Sequence, residues 1–473
     1  MRVQAVAGGW HRRAAGPGGD VALEHSRNGA DGTALYQSGE CGLARPHRNT
    51  GANAIAAAPS ALALNAHGGQ FRSRLAHAGQ RALRGVGGGS RGSTGRTGTT
   101  TSSAGGPGSE DRGVCRRPKV MRDQRIARQR LRNQRLAGAP FASPEEALRW
   151  LGASQAQEYA VAKWSLAQRA SRHDDAALER ALADGRILRT HVLRPTWHFV
   201  LPEDIRWIQA LTGPRVQRLN ASVYRRLELD DALLSRCRTV IERALEGGVH
   251  LTRRELAARL AEAGIQARGS RLAHIVMHLE LDAVVCSGVP RGKQQTYALL
   301  EERAPRALRL EGDEALAELT RRYFRSRGPA TLKDFRWWSS LTAAEAKRGV
   351  ELIRSELEKV DADGRTYWFV PPLPPARAPA PRAHLLQLYD EYVVSYAETR
   401  DVVGVPNVLV TLGETLRHPI IADGRVVGEW QPRPGGKGPR VEARPWPGLD
   451  AADRAAVEEA VRRFERYAGV AAA

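Results

Sequence analysis

Cysteine, methionine and long apolar runs are what this 473-residue chain has least of. The four cysteines (Cys41, Cys115, Cys237 and Cys286) are far apart, with no CxxC pair and no Cys/His cluster at ligand spacing. That spacing argues against a disulfide framework or a zinc site and fits reduced, structural thiols. No metal or other cofactor is expected. No apolar run approaches the roughly 18 residues that a membrane-spanning helix needs, and no signal-peptide core follows Met1. A cytoplasmic protein with no membrane partner is the expectation. Acidic residues are also short: 51 Asp+Glu stand against 72 Lys+Arg, a formal charge of +21. Such an excess favours an acidic partner, nucleic acid before others. Because Arg, Ala and Gly are abundant throughout, arginine richness by itself is not evidence of phosphate recognition.

Residues 1–120 lack any sustained helical or strand period and carry 16 Lys+Arg against 6 Asp+Glu. They read as a low-complexity, disordered extension. Either it is a basic arm that adds non-specific DNA affinity, or translation starts at Met121, where a helical pattern first appears; the second reading is favoured.

From Met121 the pattern is ordered and α+β. Ile126, Leu131 and Leu136 lie among arginines in a basic helix ending near Gly138. Ser143 is placed as an N-cap before Pro144 and two glutamates, opening a helix that reaches Gly152. A second helix ends at Gly185. ILRTHVL and TWHFVL then form a hairpin with Arg194-Pro195 at its turn. This helix–helix–helix–wing order recurs twice. A helix over 231–246 is followed by helices capped by Thr252 and Ser270 and a wing turning at VPRGKQ. Next come DEALAELTRRYFRSRG and helices capped by Thr331 and Thr342, with a shorter wing. Three tandem winged-helix units are therefore expected over 121–230, 231–306 and 307–372. A Pro-rich linker over 373–382 leads to a small β-barrel-like domain over 383–473, whose expected strands include LLQLYDEYVVSY, NVLVTL, HPIIADGRVVGEWQP and RVEARPW.

Chemistry concentrates between Gly152 and Val200. Residues i and i+2 share a face only in extended backbone. Gln155 and Gln157 can thus converge on one water only where the segment is not helical. On a strand, Thr196 and His198 share a face in the same way, opposite Trp197 and Phe199, and Arg194 sits nearby. Each has a plainer reading: surface glutamines are common, and a hairpin histidine is commonly a hydrogen-bonded structural residue. Lys163 and Trp164 follow the glutamines as candidate DNA contacts. So do Arg271 on the third helix of the second unit, whose face also carries His274 and His278, and Arg291, Lys293 and Gln294 on its wing. Trp337 and Trp338 read as core. Asp390, between aromatics, is either a buried hydrogen-bonded acid or a supporting acid of the site.

THVLRPTWHFV, RGKQQTYALL, GPATLKDFRWWSSLT and HPIIADGRVVGEW closely resemble segments of the AlkZ-like DNA glycosylases, a family of bacterial tandem winged-helix proteins. The resemblance spans about Ile126 to the C-terminus. It implies three winged-helix units in a C-shaped arrangement plus a β-barrel, and a Gln-Φ-Gln motif (Φ a small apolar residue) that Gln155-Ala156-Gln157 matches. Leu388 departs from the Pro common in relatives before the Tyr/Phe-Asp pair, which bears on the role of Asp390.

The implied activity is monofunctional hydrolysis of the N-glycosidic bond of alkylated purines, including bulky adducts or interstrand crosslinks, in double-stranded DNA. Gln155 and Gln157 would position the water, Arg194, Thr196 and His198 would orient the DNA backbone or the glutamines, and Arg291 and Lys293 would grip the duplex. An N7-alkylated purine is already a cationic leaving group, so glutamines that cannot act as bases suffice to position water. No lysine is placed for a Schiff base, so no lyase step is expected. A monomer associated with the nucleoid is expected. The competing readings are a non-catalytic DNA-binding regulator, with the glutamines bonded to backbone, and a protein-interaction scaffold.

Overall fold

The computed structural model describes residues 119–171, 174–371, 382–404, 418–433 and 440–469, with side chains from residue 124 onward. The expectations for residues 1–118, for most of the Pro-rich linker and for NVLVTL lie outside the described residues.

The basic helix α1 (Lys119–Asn133) comes first. In α2 (Pro144–Leu151), Ser143 accepts the Glu146 N–H, Pro144 opens the helix, and Gly152 closes it at φ +75°. The chain then straightens into the two-residue strand β1 (Ser154–Gln155) before α3 (Tyr159–Ala167) and α4 (Asp175–Ala183). The hairpin strands are β2 (Leu188–Val192) and β3 (Arg194–Val200). Here the structure corrects the expected turn. Arg194 already belongs to β3, and the corner is Leu193, buried at φ +64°. Its N–H is held by Thr212 at 3.2 Å. A branched side chain in this left-handed region costs on the order of 1 kcal/mol, tolerated where burial and bonding fix the corner.

The sheet order is β1-β3-β2, and the same arrangement recurs. After the long helix α5 (Ile205–Arg226) come α6 (Asp231–Leu245), β4 (Leu251–Thr252), α7 (Arg253–Glu262) and α8 (Gly269–Leu281). The strands β5 (Val285–Ser287) and β6 (Thr296–Leu299) complete a sheet of order β4-β6-β5. The third instance has α9 (Gly312–Arg327), α10 (Leu332–Ser339), α11 (Ala343–Leu352), β7 (Glu358–Ala362) and β8 (Arg365–Phe369). There the short strand is reduced to one bridge between Ala330 and Trp368. Thr252, Thr331 and Thr342 each close a capping box with an acid three residues on. Ser270 does not cap: α8 starts at Gly269, and its N-cap, Arg268, makes no side-chain capping bond.

The C-terminal part forms a curled four-stranded antiparallel half-barrel of β9 (Ala383–Leu385), β10 (His418–Ala422), β11 (Arg425–Arg433) and β12 (Arg440–Pro445), in order β12-β11-β10-β9. The helix α12 (Ala451–Tyr467) packs along it. Of LLQLYDEYVVSY only Leu385 is strand. The chain leaves the sheet after Leu385 and turns through a single helical turn, Glu391–Val394, because Asp390 caps the Tyr392 N–H.

Two apolar clusters meet at the first hairpin. Leu188, Val192, Leu193 and Val200 face α9, α10 and α11, whereas Ile187, Phe199 and Leu201 face α2, α3, α4, the half-barrel and α12. A third cluster belongs to α6, α7, α8 and their hairpin. The first hairpin is thereby buried on both sides, which holds its neighbour β1 in place.

Candidate active site

Gln155 lies in extended backbone, in β1. In the register, Ser154 is opposite Phe199 and Gln155 is opposite His198. The Ala156 N–H donates to the Trp197 carbonyl at 2.7 Å. Consequently Gln155, Arg194, Thr196 and His198 share one face of this sheet edge, while Trp197 turns to the other. There Trp197 stacks on His191 with ring centroids 4.7 Å apart, and the Arg189 guanidinium lies 4.0 Å over its ring.

Arg194 sets the amide of Gln155. Its Nη2 donates to Gln155 Oε1 at 2.8 Å and its Nη1 to the Trp338 carbonyl at 3.1 Å. Burial draws the Arg194 pKa down to about 10, so it remains charged at neutral pH. A guanidinium can only donate, so it fixes which end of the amide faces it. Gln157, half-buried, is held alike: its Oε1 accepts the Trp197 N–H at 3.3 Å. Among the described residues neither glutamine's Nε2 meets an acceptor.

His198 is neutral. Burial pushes its pKa down to about 3, with Arg194 adding to the effect. Its Nδ1 donates to the Thr196 carbonyl at 2.9 Å, which leaves Nε2 as the acceptor facing Arg194 at 3.4 Å. His198 therefore orients Arg194 and does not take up a second proton near neutral pH. The hydroxyl of Thr196, on the same face, is buried without a partner.

The profile of the family described as DNA glycosylase AlkZ-like matches residues 148–467, about two thirds of the chain, and includes every residue just named. The chain belongs to the AlkZ-like DNA glycosylase family. A relative from Streptomyces sahachiroi, named an interstrand DNA cross-link repair glycosylase, is 27% identical over 293 residues, covering 59% of this chain and 79% of the relative. The solved structure of Streptomyces sahachiroi DNA glycosylase AlkZ is similar in fold. Its TM-score is 0.61 at 23% identity, over 73% of this chain and 96% of that one.

In this AlkZ-like glycosylase, the residue at Gln155 that the sequence reading missed is Glu391. Fully buried, it accepts the Gln155 backbone N–H at 2.8 Å through Oε1. Its Oε2 accepts from Arg327 Nη2 at 2.7 Å, Trp338 Nε1 at 2.9 Å and Ser395 Oγ at 2.6 Å. Burial alone would raise its pKa, but Arg327 and Arg194 outweigh it and hold the carboxyl at about 2. Asp390, one residue earlier, turns the other way: it forms a two-pronged, fully buried ion pair with Arg169 at 2.7 and 2.9 Å. It is thus the buried structural acid of the two readings. The cue in the sequence was the Asp-Glu pair itself, since adjacent residues entering a turn point to different sides.

Lys163 and Trp164 are corrected from DNA contacts to interior residues. Lys163 is buried against Glu179 and Asp175 at 2.5 and 2.7 Å. Trp164 packs edge-on against Phe464 and tilted against Tyr467, and donates to the Leu385 carbonyl at 2.7 Å. The face expected for recognition on α8 is partly exposed. His274 and His278 pack edge-on against Tyr224, and Arg271 is tied to the Glu228 carbonyl at 3.3 Å. Lys293 and Gln294 are exposed at the β5–β6 turn, and Arg291 beside them is anchored to Glu255. Trp338 is core as read, whereas Trp337 is half-buried, donating to the Val394 carbonyl.

Proposed function

We propose that this DNA glycosylase hydrolyses the N-glycosidic bond of N7-alkylated or crosslinked purines in duplex DNA, with Gln155 and Gln157 positioning the attacking water. The observation that carries this reading is Gln155 itself. It sits in extended backbone, its amide oriented by Arg194, on a sheet edge that it shares with Thr196 and His198. Each glutamine oxygen keeps a second lone pair that can accept a water proton, leaving the water's own lone pair for attack at C1′. As the C1′–N9 bond breaks, its electrons neutralise the purine cation. The C1′–O bond forms and the water's second proton passes to solvent. With a leaving group already charged, no acid is needed, and the neutral His198 is consistent with that. The crosslink repair named for the relative points to crosslinked purines as substrates here too.

The three recurring helix and hairpin arrangements read as winged helices, and the Lys293–Gln294 turn is the wing suited to touching phosphates. The test is base release from a duplex carrying N7-methylguanine, then from a crosslinked one, by the full chain and by Gln155→Ala with Gln157→Ala. Release by the parent, lost in the variant with DNA affinity kept, is the expected result. Binding without release would favour a regulator.

A further inference from the structure

β1 is an edge strand, paired to β3 on one side only. The Ala156 N–H faces β3, so the peptide groups of Gln155 itself face the open side. On an ordinary edge these would meet water or another strand. Here two side chains four residues apart meet them. Glu391 Oε1 accepts the Gln155 N–H at 2.8 Å, and Gln387 Nε2 donates to the Gln155 carbonyl at 3.0 Å. Gln387 is buried and its Nε2 also reaches Ser165 Oγ at 2.9 Å, which ties it to α3.

The grip extends along the strand's approach. Arg327, paired with Glu391, donates from Nη1 to the Leu151 carbonyl at 2.7 Å and from Nη2 to the Ala153 carbonyl at 2.9 Å. The Glu391–Arg327 pair therefore holds the main chain at alternate residues 151, 153 and 155. Trp338 joins this to the amide: its Nε1 donates to Glu391 and its carbonyl accepts from Arg194, the residue that grips Gln155 Oε1.

We propose that Gln387 and Glu391 are positioning residues that clamp Gln155 for glycosidic hydrolysis. The proposal rests on the reading of Gln155 as a water-positioning residue. The physical case is that a neutral amide contributes to hydrolysis mainly through where it sits. A displacement of about 1 Å at a reacting group costs up to about a hundredfold in rate. A group with no base strength to fall back on depends wholly on the shell behind it. The half-barrel segment supplies that shell, so the C-terminal part of the chain completes the site at Gln155.

The decisive variant is Gln387→Met, which matches the side chain in length, strands no charge and removes the donor to Gln155. Base release from N7-methylguanine duplex is followed under single-turnover conditions with the full chain, alongside DNA affinity and melting temperature. The expected result is a release rate lower by about tenfold to a hundredfold with DNA affinity unchanged. Glu391→Gln, whose amide oxygen still accepts the Gln155 N–H while Arg327 loses its counter-charge, is expected to lower both the rate and the melting temperature. Parent-like release by Gln387→Met overturns the clamp, as does a fall in rate matched by an equal loss of DNA affinity. Gln155→Ala separates the two ideas. If it releases base like the parent, the reading of Gln155 fails; if it is slow while Gln387→Met is fast, only the clamp fails.

Discussion

Arg194 Nη2 lies 2.8 Å from Gln155 Oε1, a charge-assisted bond made inside a buried site. Through it, a residue at the start of β3 determines how an amide on β1 presents itself. Arg194→Lys keeps the charge but loses the fork that spans Gln155 and the Trp338 carbonyl. Its single-turnover release rate is expected to fall at least about tenfold with little change in DNA affinity. Rapid-quench release assays with parallel binding titrations check this.

The pH dependence of stability follows from His198. Its folded pKa is about 3 against an ordinary 6.5, so the unfolded chain binds the proton more readily. The resulting stabilisation is complete above pH 6.5 and is lost as pH falls from 6.5 towards 3. His418, lowered to about 4 by burial, acts in the same direction. Thermal melts across this window should show a shallower acid decline for His198→Asn than for the parent. A histidine step near pH 6.5 in the parent's release rate would contradict the assignment of His198 as neutral.

Removing Asp390 should damage folding more than chemistry. Asp390→Ala leaves Arg169 buried and without its counter-charge. Breaking such a pair costs roughly 3–5 kcal/mol. Urea unfolding is expected to show that loss, with a smaller fall in release rate per folded molecule because Asp390 also caps the turn that carries Glu391.

Trp164 gives a parallel contrast. Trp164→Ala opens a cavity between α3 and α12 and is expected to cost about 3–5 kcal/mol of stability. DNA affinity measured below the melting transition should hold.

Lys293 is where a surface change should reach DNA. Lys293→Ala is expected to weaken duplex binding uniformly across sequences and to reduce the slope of log affinity against log salt by about 1. Fluorescence anisotropy at several salt concentrations reads both. An unchanged slope would remove this turn from the DNA-binding surface.

Local signals in the sequence carried far. Ser143-Pro144, Thr252, Thr331 and Thr342 marked helix starts because capping depends on residues three apart. The recurrence of helices and hairpins was legible for the same reason. Ser270 failed because the helix found its start one residue earlier, at Gly269. What the sequence could not determine was which groups meet across long separations. Gln155 and Glu391 are 236 residues apart, and Arg169 and Asp390 are 221 apart. Neighbouring acids were indistinguishable until the turn after β9 sent one to Arg327 and the other to Arg169. Lys163 and Trp164 looked like DNA contacts because basic and aromatic side chains serve either role. Tertiary structure decided between them, since α12 and the half-barrel cover that face and leave the lysine two carboxylates and the indole an apolar bed.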